Sequence, residues 1–423
     1  MARTAALLGG GSRISDYITL GAVARMFPAS RVEASLKATG KASQRQRDLP
    51  AHVVVYYVIA LALFSQVSCR EVLRCLLEGV RWLSGAATDI KVTGKSGISQ
   101  ARTRLGWEPI RKLHDELVHP IATEDTQGAW FRDWRMVSID GSTLDIPDDP
   151  ANELEFGRPS ASRGESAFPQ IRFVSLVENG THVLFGTRMG PCTTSEKALA
   201  NEVIESLTPG MLCLADRGFY GFDFWEKARA TGAELVWRVN SNLGLPREVE
   251  LEDGSFLSTV WDTKDRWRKQ SKGVQVRVVE YTLDGVRDGR LPAPPEGKEG
   301  YRLITTILNP TLGPAEDLAA LYPERWEIET AFDELKTHLH GRQMLLRSKT
   351  PDLIRQEFYG LMMAHFSVRG LMHEAAMKGR VDPDSLSFIH AVRVIRRTLP
   401  HIAALPPSGH GRSPRKRTAG TAE

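Results

Sequence analysis

Cysteine is scarce in this chain: four in 423 residues, Cys69, Cys75, Cys192 and Cys213. No two form a C-x2-C pair, which excludes the usual zinc-finger spacings. Cys69 and Cys75 fall in an apolar helical region where buried thiols are ordinary. The eleven histidines include no H-x3-H pair backed by a glutamate, so a zincin site is excluded as well. No apolar run is long enough to span a bilayer by the ~20-residue criterion, and Ala51 to Ser65 reads instead as a buried helix. Export signals are equally thin, because the apolar part of AALLGGG after Arg3 is short and runs straight into SRISD. Few cysteines and no export signal point to a reducing cytoplasm, with no membrane partner. Charge of one sign is also lacking: 55 Lys and Arg against 51 Asp and Glu leave +4. Attraction to a polyanion must then come from local patches such as GRSPRKR, Gly411 to Arg417, in an expected disordered tail. We find no internal repeat, and the length suits two or three domains.

What is present is a patterned segment, YPERWEIETAFDELK from Tyr322 to Lys336. At about 100° per residue, Arg325, Glu329 and Lys336 fall at about 300°, 340° and 320° when Tyr322 is set at zero. A phenol, two cations and a carboxylate thus share one stripe of the predicted helix. Ile328, Ala331, Phe332, Leu335 and Leu339 take the adjoining side and give it an apolar face for packing. A solvated helix scatters its charges, so the stripe gains meaning only if distant carboxylates join Glu329.

Two such acids follow apolar runs. Arg135 to Ile139 reads as a strand that stops at Asp140, and Met211 to Ala215 as a strand that stops at Asp216. Between and after them, Pro169–Glu178 and Thr181–Met189 read as strands joined at Asn179-Gly180, a hairpin dipeptide. Ser195–Leu207 reads as a helix, Phe222–Ala230 as a second, and Glu234–Asn240 as a fifth strand. The resulting β-β-β-α-β-α-β series predicts a mixed α/β sheet with acids on its first and fourth strands. Such sheets carry their sites at strand ends.

The pattern Y-x2-R-x3-E-x6-K, met by Tyr322, Arg325, Glu329 and Lys336, resembles the signature of the insertion-sequence-four group of bacterial DDE transposases. The strings IDGSTLDIPDDPANELEFG around Asp140, AFPQIRFVSLVENGTHVLFG after it, and LCLADRGFYGFDFW around Asp216 are similar to the family's pattern in the same order. LPAHVVVYYVIALALFS and SGISQARTRLG resemble its helical N-terminal region. The resemblance implies an RNase H-like fold and cleavage of DNA at the ends of an insertion element, followed by transfer of the 3′-hydroxyl ends to target DNA. Asp140, Asp216 and Glu329 would be the catalytic, metal-binding acids. Three carboxylates can hold two divalent ions about 3.5–4 Å apart, and hard oxygen donors suit Mg²⁺ or Mn²⁺ better than zinc. Tyr322, Arg325 and Lys336 would meet DNA phosphates. The implied partners are terminal inverted repeats, target DNA and a second subunit in a synaptic homodimer, and the implied location is the bacterial cytoplasm at the nucleoid.

From Asn240 to Tyr301 short β-like stretches alternate with charges and turns, too long for a loop in a compact sheet. We read 241–300 as a β-rich insertion, as members of the family carry. The resemblance also implies an aromatic on the next strand that stacks on a flipped base. Tyr301 is the nearest match, the other reading being a plain strand-end aromatic. Trp326 is either a packing residue or a DNA contact, and Trp261 and Trp267 are undecided. His338 and His340 are expected at the solvated or DNA-facing end of the signature helix. Lys95 to Val118 suggests a helical pair with Arg102, Arg104, Arg111 and Lys112 exposed, compatible with DNA binding by Arg102 and Arg104. The expected organisation is a helical domain over 1–130, the catalytic domain over 131–349, C-terminal helices over 350–400 and the basic tail over 401–423. Two rivals stand: a non-catalytic DNA-binding descendant, against which the three intact acids argue, and a two-metal nuclease without strand transfer.

Overall fold

The computed structural model describes residues 23–44, 49–64, 68–84, 94–161, 164–165, 168–262, 272–282, 300–339 and 346–397. The N-terminal Arg3 stretch, Trp267, His340 and the basic run 411–417 lie outside the described residues. A large mixed sheet forms the centre. Its strands are β1 (Trp130–Phe131), β2 (Trp134–Asp145), β5 (Gln170–Glu178), β6 (Val183–Pro191), β7 (Met211–Ala215), β8 (Glu234–Arg238), β9 (Val249–Glu250), β10 (Phe256–Trp261), β11 (Gly273–Tyr281) and β12 (Tyr301–Thr305). β3 (Ser160–Ala161) and β4 (Gly164–Glu165) pair separately. The order across the main sheet is β6-β5-β2-β7-β8-β12-β11-β10-β9, with β1 paired to β2. This is the α/β, RNase H-like layer expected from the strand series, preceded by helices. The stretch read as an insertion is not a separate layer: β9, β10 and β11 extend the same sheet beyond β12.

β2 is longer than its sequence suggested. It runs through Asp140 to Asp145 because its antiparallel ladder with β5 continues to Asp145↔Gln170. Its parallel ladder with β7, however, ends at Ile139↔Ala215. Asp140 and Asp216 are therefore the next residues on two neighbouring strands at the point where β7 turns away. Period-two alternation puts both on the face that carries Met136, Leu212 and Leu214.

Both faces of the sheet are covered, which explains the continuous apolar runs in β2 and β7. One face packs Met136, Leu212, Leu214, Val236 and Leu303 against Leu318 and Tyr322, and further along it Phe332 meets Phe173 of β5 edge-on, with ring centres 5.2 Å apart. The segment from Ala315 to His338 thus crosses this face from the β11–β12 side to the β5 side. On the other face Trp237 meets Trp225 from the helix Phe222–Ala230 at 5.1 Å.

The helix Ala51–Leu63 is buried from Val53 to Leu63. It has no polar face because its neighbours surround it. One of them is the 29-residue helix Pro351–Gly379. The two approach so closely that a Cβ at Gly360 would lie 2.7 Å from Val58 Cγ1 and 2.9 Å from the Val58 carbonyl oxygen. Residues from Val23 to Val392 share one hydrophobic cluster, so the N-terminal helices and the sheet are packed as a continuous interior. Among the described residues no helix is long and apolar enough to cross a membrane.

The signature segment is not one uniform α-helix. It is a 3₁₀ helix over Tyr322–Trp326, α-helix over Glu327–Asp333 and a π-turn over Glu334–His338. The Leu339 N–H donates to the Glu334 carbonyl at 2.8 Å. These changes of pitch alter the phase of the predicted wheel, so contacts rather than angles decide which side chains meet.

Candidate active site

Arg325 is the hub of the site. Its Nη1 donates to Asp140 Oδ2 at 3.1 Å, and its Nη2 lies 3.5 Å from Glu329 Oε1. The guanidinium is 8% exposed while Glu329 is 45% exposed, so the carboxylate of Glu329 faces open solvent over a buried cation. Burial works against the charge on Arg325, but Tyr322, Asp140, Asp216 and Glu329 together hold its pKa above the ordinary value. Two of the three acids expected to act together thus contact one guanidinium, and the third, Asp216, adds to the field that holds its charge.

Asp140 is held from below by the Gly141 N–H, which donates to its Oδ1 at 2.7 Å. Burial pushes its carboxyl above the usual range. Gly141 and Arg325 oppose that, while Glu196 and Glu329 add to it. Glu196 is a fourth carboxylate that no local motif announced. Ser195 caps its helix by accepting from the Ala198 N–H at 3.2 Å, which fixes Glu196 in the first turn. A Cβ on Gly141 would lie 2.8 Å from Glu196 Cγ, so a larger residue there would push that side chain from its place beside Asp140.

Lys336 donates to Ser142 Oγ on β2, and burial lowers its pKa against the attraction of Asp145 and Asp333. The cation is thereby placed over the same strand as Asp140, two residues on. Tyr322 is buried and its hydroxyl donates to the Ala215 carbonyl at 3.3 Å. That contact ties the segment to the last residue of β7, next to Asp216.

The remaining expected contacts divide. Trp326 is 59% exposed, with the Arg325 guanidinium 5.2 Å from its ring centre. Tyr301 is half-buried, lies near-parallel to Tyr281 at 5.3 Å, and has the Arg238 guanidinium 4.3 Å from its ring centre. Arg104 is exposed and lines an open cleft of about 310 Å³ with Lys41 and Ser43. Arg102 is not exposed, contrary to expectation. Its Nε donates to Gln356 Oε1 at 2.8 Å and its Nη1 lies 3.0 Å from Glu357 Oε1, both on the long helix. A cation so enclosed joins two helices and does not face a ligand. Arg111 and Lys112 are half-buried, with Lys112 paired to Glu116 at 2.8 Å. His338 is half-buried beside Asp333 at 3.4 Å.

Comparison with known proteins gives two matches to families. Residues 17–115 match the family described as insertion element 4 transposase N-terminal, and residues 134–367 match the family described as transposase DDE domain. The chain is 27% identical to the transposase InsG for insertion sequence element IS4 of Escherichia coli (strain K12) over 371 residues, 86% of this chain and 79% of the relative. It is 22% identical to the putative transposase InsZ of the same organism over 239 residues, 56% of this chain and 77% of that one. A third relative, the putative transposase y4zB of Sinorhizobium fredii (strain NBRC 101917 / NGR234), is 27% identical over 195 residues, 44% of this chain and 49% of the relative.

Proposed function

Because the chain belongs to the insertion-element-4 family of DDE transposases, we propose that it cuts DNA at the ends of its element and joins the 3′-hydroxyl ends to target DNA, using Asp140, Asp216 and Glu329. The observation that supports this reading is that Asp140 and Glu329 meet on Arg325 while Asp216 follows β7 beside Asp140 on the neighbouring strand. A DDE domain implies divalent metal use, and the donor set fits it: hard carboxylate oxygens on β2, at the end of the neighbouring β7 and on a helix above them, with Glu329 open to solvent. When bound, a pair of Mg²⁺ or Mn²⁺ ions supplies electrophilic stabilisation of the phosphate and activation of the attacking oxygen.

The chain's own residues do the rest. Arg325 orients Asp140 and Glu329 and balances their charge. Lys336, held by Ser142, reaches phosphates beside the scissile bond as a point charge. Tyr322 acts through its bond to Ala215 as a positioning residue for Asp216. Trp326 offers the open aromatic surface for an unpaired base, and it is more exposed than Tyr301. The N-terminal helices contribute Arg104 and Lys41 to the backbone of end DNA. Two element ends require two active sites, so the working form is a homodimer paired on DNA, acting in the bacterial nucleoid.

The test is an assay that joins labelled terminal-repeat DNA to a plasmid. Products carrying both ends in one target are expected. Cleaved ends that never join would identify the nuclease, and binding without cleavage would identify the non-catalytic DNA-binding descendant.

A further inference from the structure

On the side of the signature segment away from Glu329, three potential ligands meet without a motif to announce them. Glu327 is two residues before Glu329, which on a helix is about 200° around the axis. His182 sits in the turn between β5 and β6, and Asp384 in the 3₁₀ turn Pro383–Ser385 after the long helix. Their donor atoms all lie within 4.8 Å of one another.

The imidazole of His182 is 4% exposed, and its Nε2 points at two carboxylates. That atom lies 3.1 Å from Asp384 Oδ1 and 3.7 Å from Glu327 Oε2. Ligand atoms about 2.0–2.2 Å from one ion at tetrahedral to octahedral angles are about 2.8–3.6 Å apart, so the Asp384 pair is at ligand spacing and a small rotation of Glu327 brings the other pair to it. A buried imidazole nitrogen facing two carboxylates must have either a proton or a cation between them. We propose that His182, Glu327 and Asp384 form a second metal site, for a transition-metal dication such as Zn²⁺ or Mn²⁺, that staples the β5–β6 turn and the C-terminal turn to the back of the catalytic segment.

The surroundings suit such a site. His182 has φ 56°, in the left-handed region uncommon for residues with a side chain. On the far side of its ring, Nδ1 faces Glu334 Oε1 at 3.3 Å and also the Arg369 guanidinium. Nδ1 accepts from the guanidinium in one tautomer and donates to Glu334 in the other, and it is the second that leaves Nε2 to ligate, the usual support of a metal-bound histidine. Glu327 Oε2 accepts from the Gly180 N–H, and the Asp384 N–H donates to Asp382 Oδ1 at 2.9 Å, so both ligand-bearing segments are held in place. Asp384 is 34% exposed and gives the ion a way in. Imidazole among the donors favours Zn²⁺, Mn²⁺ or Fe²⁺ over Mg²⁺ and Ca²⁺. The site is invisible to spacing rules because its ligands come from three distant elements.

Nitrogen ligation separates this site from the reaction centre, whose three acids offer only oxygen. The experiment loads tag-free, full-length protein bearing Asp140→Ala, Asp216→Ala and Glu329→Ala with Mn²⁺, and reads nitrogen coupling by pulsed electron paramagnetic resonance and stoichiometry by dialysis. One Mn²⁺ per chain with histidine nitrogen coupling is expected. Adding Asp384→Asn, a surface change that preserves the fold, should weaken binding at least about tenfold, and His182→Gln should abolish the nitrogen signal. No retained ion, an ion with oxygen ligands alone, or nitrogen-coupled binding that ignores Asp384→Asn overturns the proposal and leaves an imidazolium paired with two carboxylates. None of these outcomes bears on end joining, so the two readings fail separately.

Discussion

Glu329 and Glu334 lie five residues apart on one segment, and their settings are opposite. Glu329 is 45% exposed and meets Arg325 from the solvent side. Glu334 is 6% exposed and enclosed by Arg369, His182 and His365. Burial alone would raise the Glu334 carboxyl, but hydrogen bonds to His182 and His365 and the charge of Arg369 hold it far below the usual range. One acid is open to solvent. The other locks the segment to the long helix and to the β5–β6 turn. A carboxylate exposed to water has little packing of its own, so the position of Glu329 is set by the buried pair on the reverse side.

The contrast can be broken from either side. The largest effect on stability is expected from Arg369→Met, which leaves the buried Glu334 carboxylate with only His182 and His365 for partners. Loss of one partner of a buried pair costs about 3–5 kcal/mol. Urea unfolding should show that loss, and a change under about 1 kcal/mol, the size of an exposed pair, would show that the network does not anchor the segment. Next comes Trp326→Ala on the open side, which should weaken binding to an unpaired DNA end by about 1–3 kcal/mol, as for loss of a base–aromatic stack. Unfolding should be unaffected, since the ring is 59% exposed. An unchanged dissociation constant for frayed-end DNA would make Trp326 a bystander. The smallest effect is that of Lys336→Ala, which should lower the slope of log K against log salt by about one, the value of a single phosphate contact. A slope that stays put would confine Lys336 to its bond with Ser142.

The same contrast shows what sequence carries and what it does not. The strand series, the turn at Asn179-Gly180 and the buried helix at Ala51 were legible because period-two alternation, turn residues and an all-apolar run are local signals. The stripe of Arg325, Glu329 and Lys336 was legible for the same reason, although the π-turn at Glu334–His338 was not. The end of β2 was misplaced because its extension beyond Asp140 depends on pairing with β5, some thirty residues on. Arg102 looked like a surface cation because its partners, Gln356 and Glu357, lie on a helix about 250 residues away. Glu196, which stands beside Asp140 in the room that Gly141 leaves, and Glu327, which meets His182 across the fold, left no local trace either. Burial of charge is decided by remote partners, and those are where a sequence is least explicit.

The central claim is that Asp140, Asp216 and Glu329 act as one unit on DNA. It is tested most directly by replacing each in turn with alanine and measuring, in Mg²⁺, cleavage of terminal-repeat duplex alongside equilibrium binding of the same duplex. The account predicts that each variant still binds and that none cuts. A variant of any one of the three that cuts at near the parent rate would contradict it.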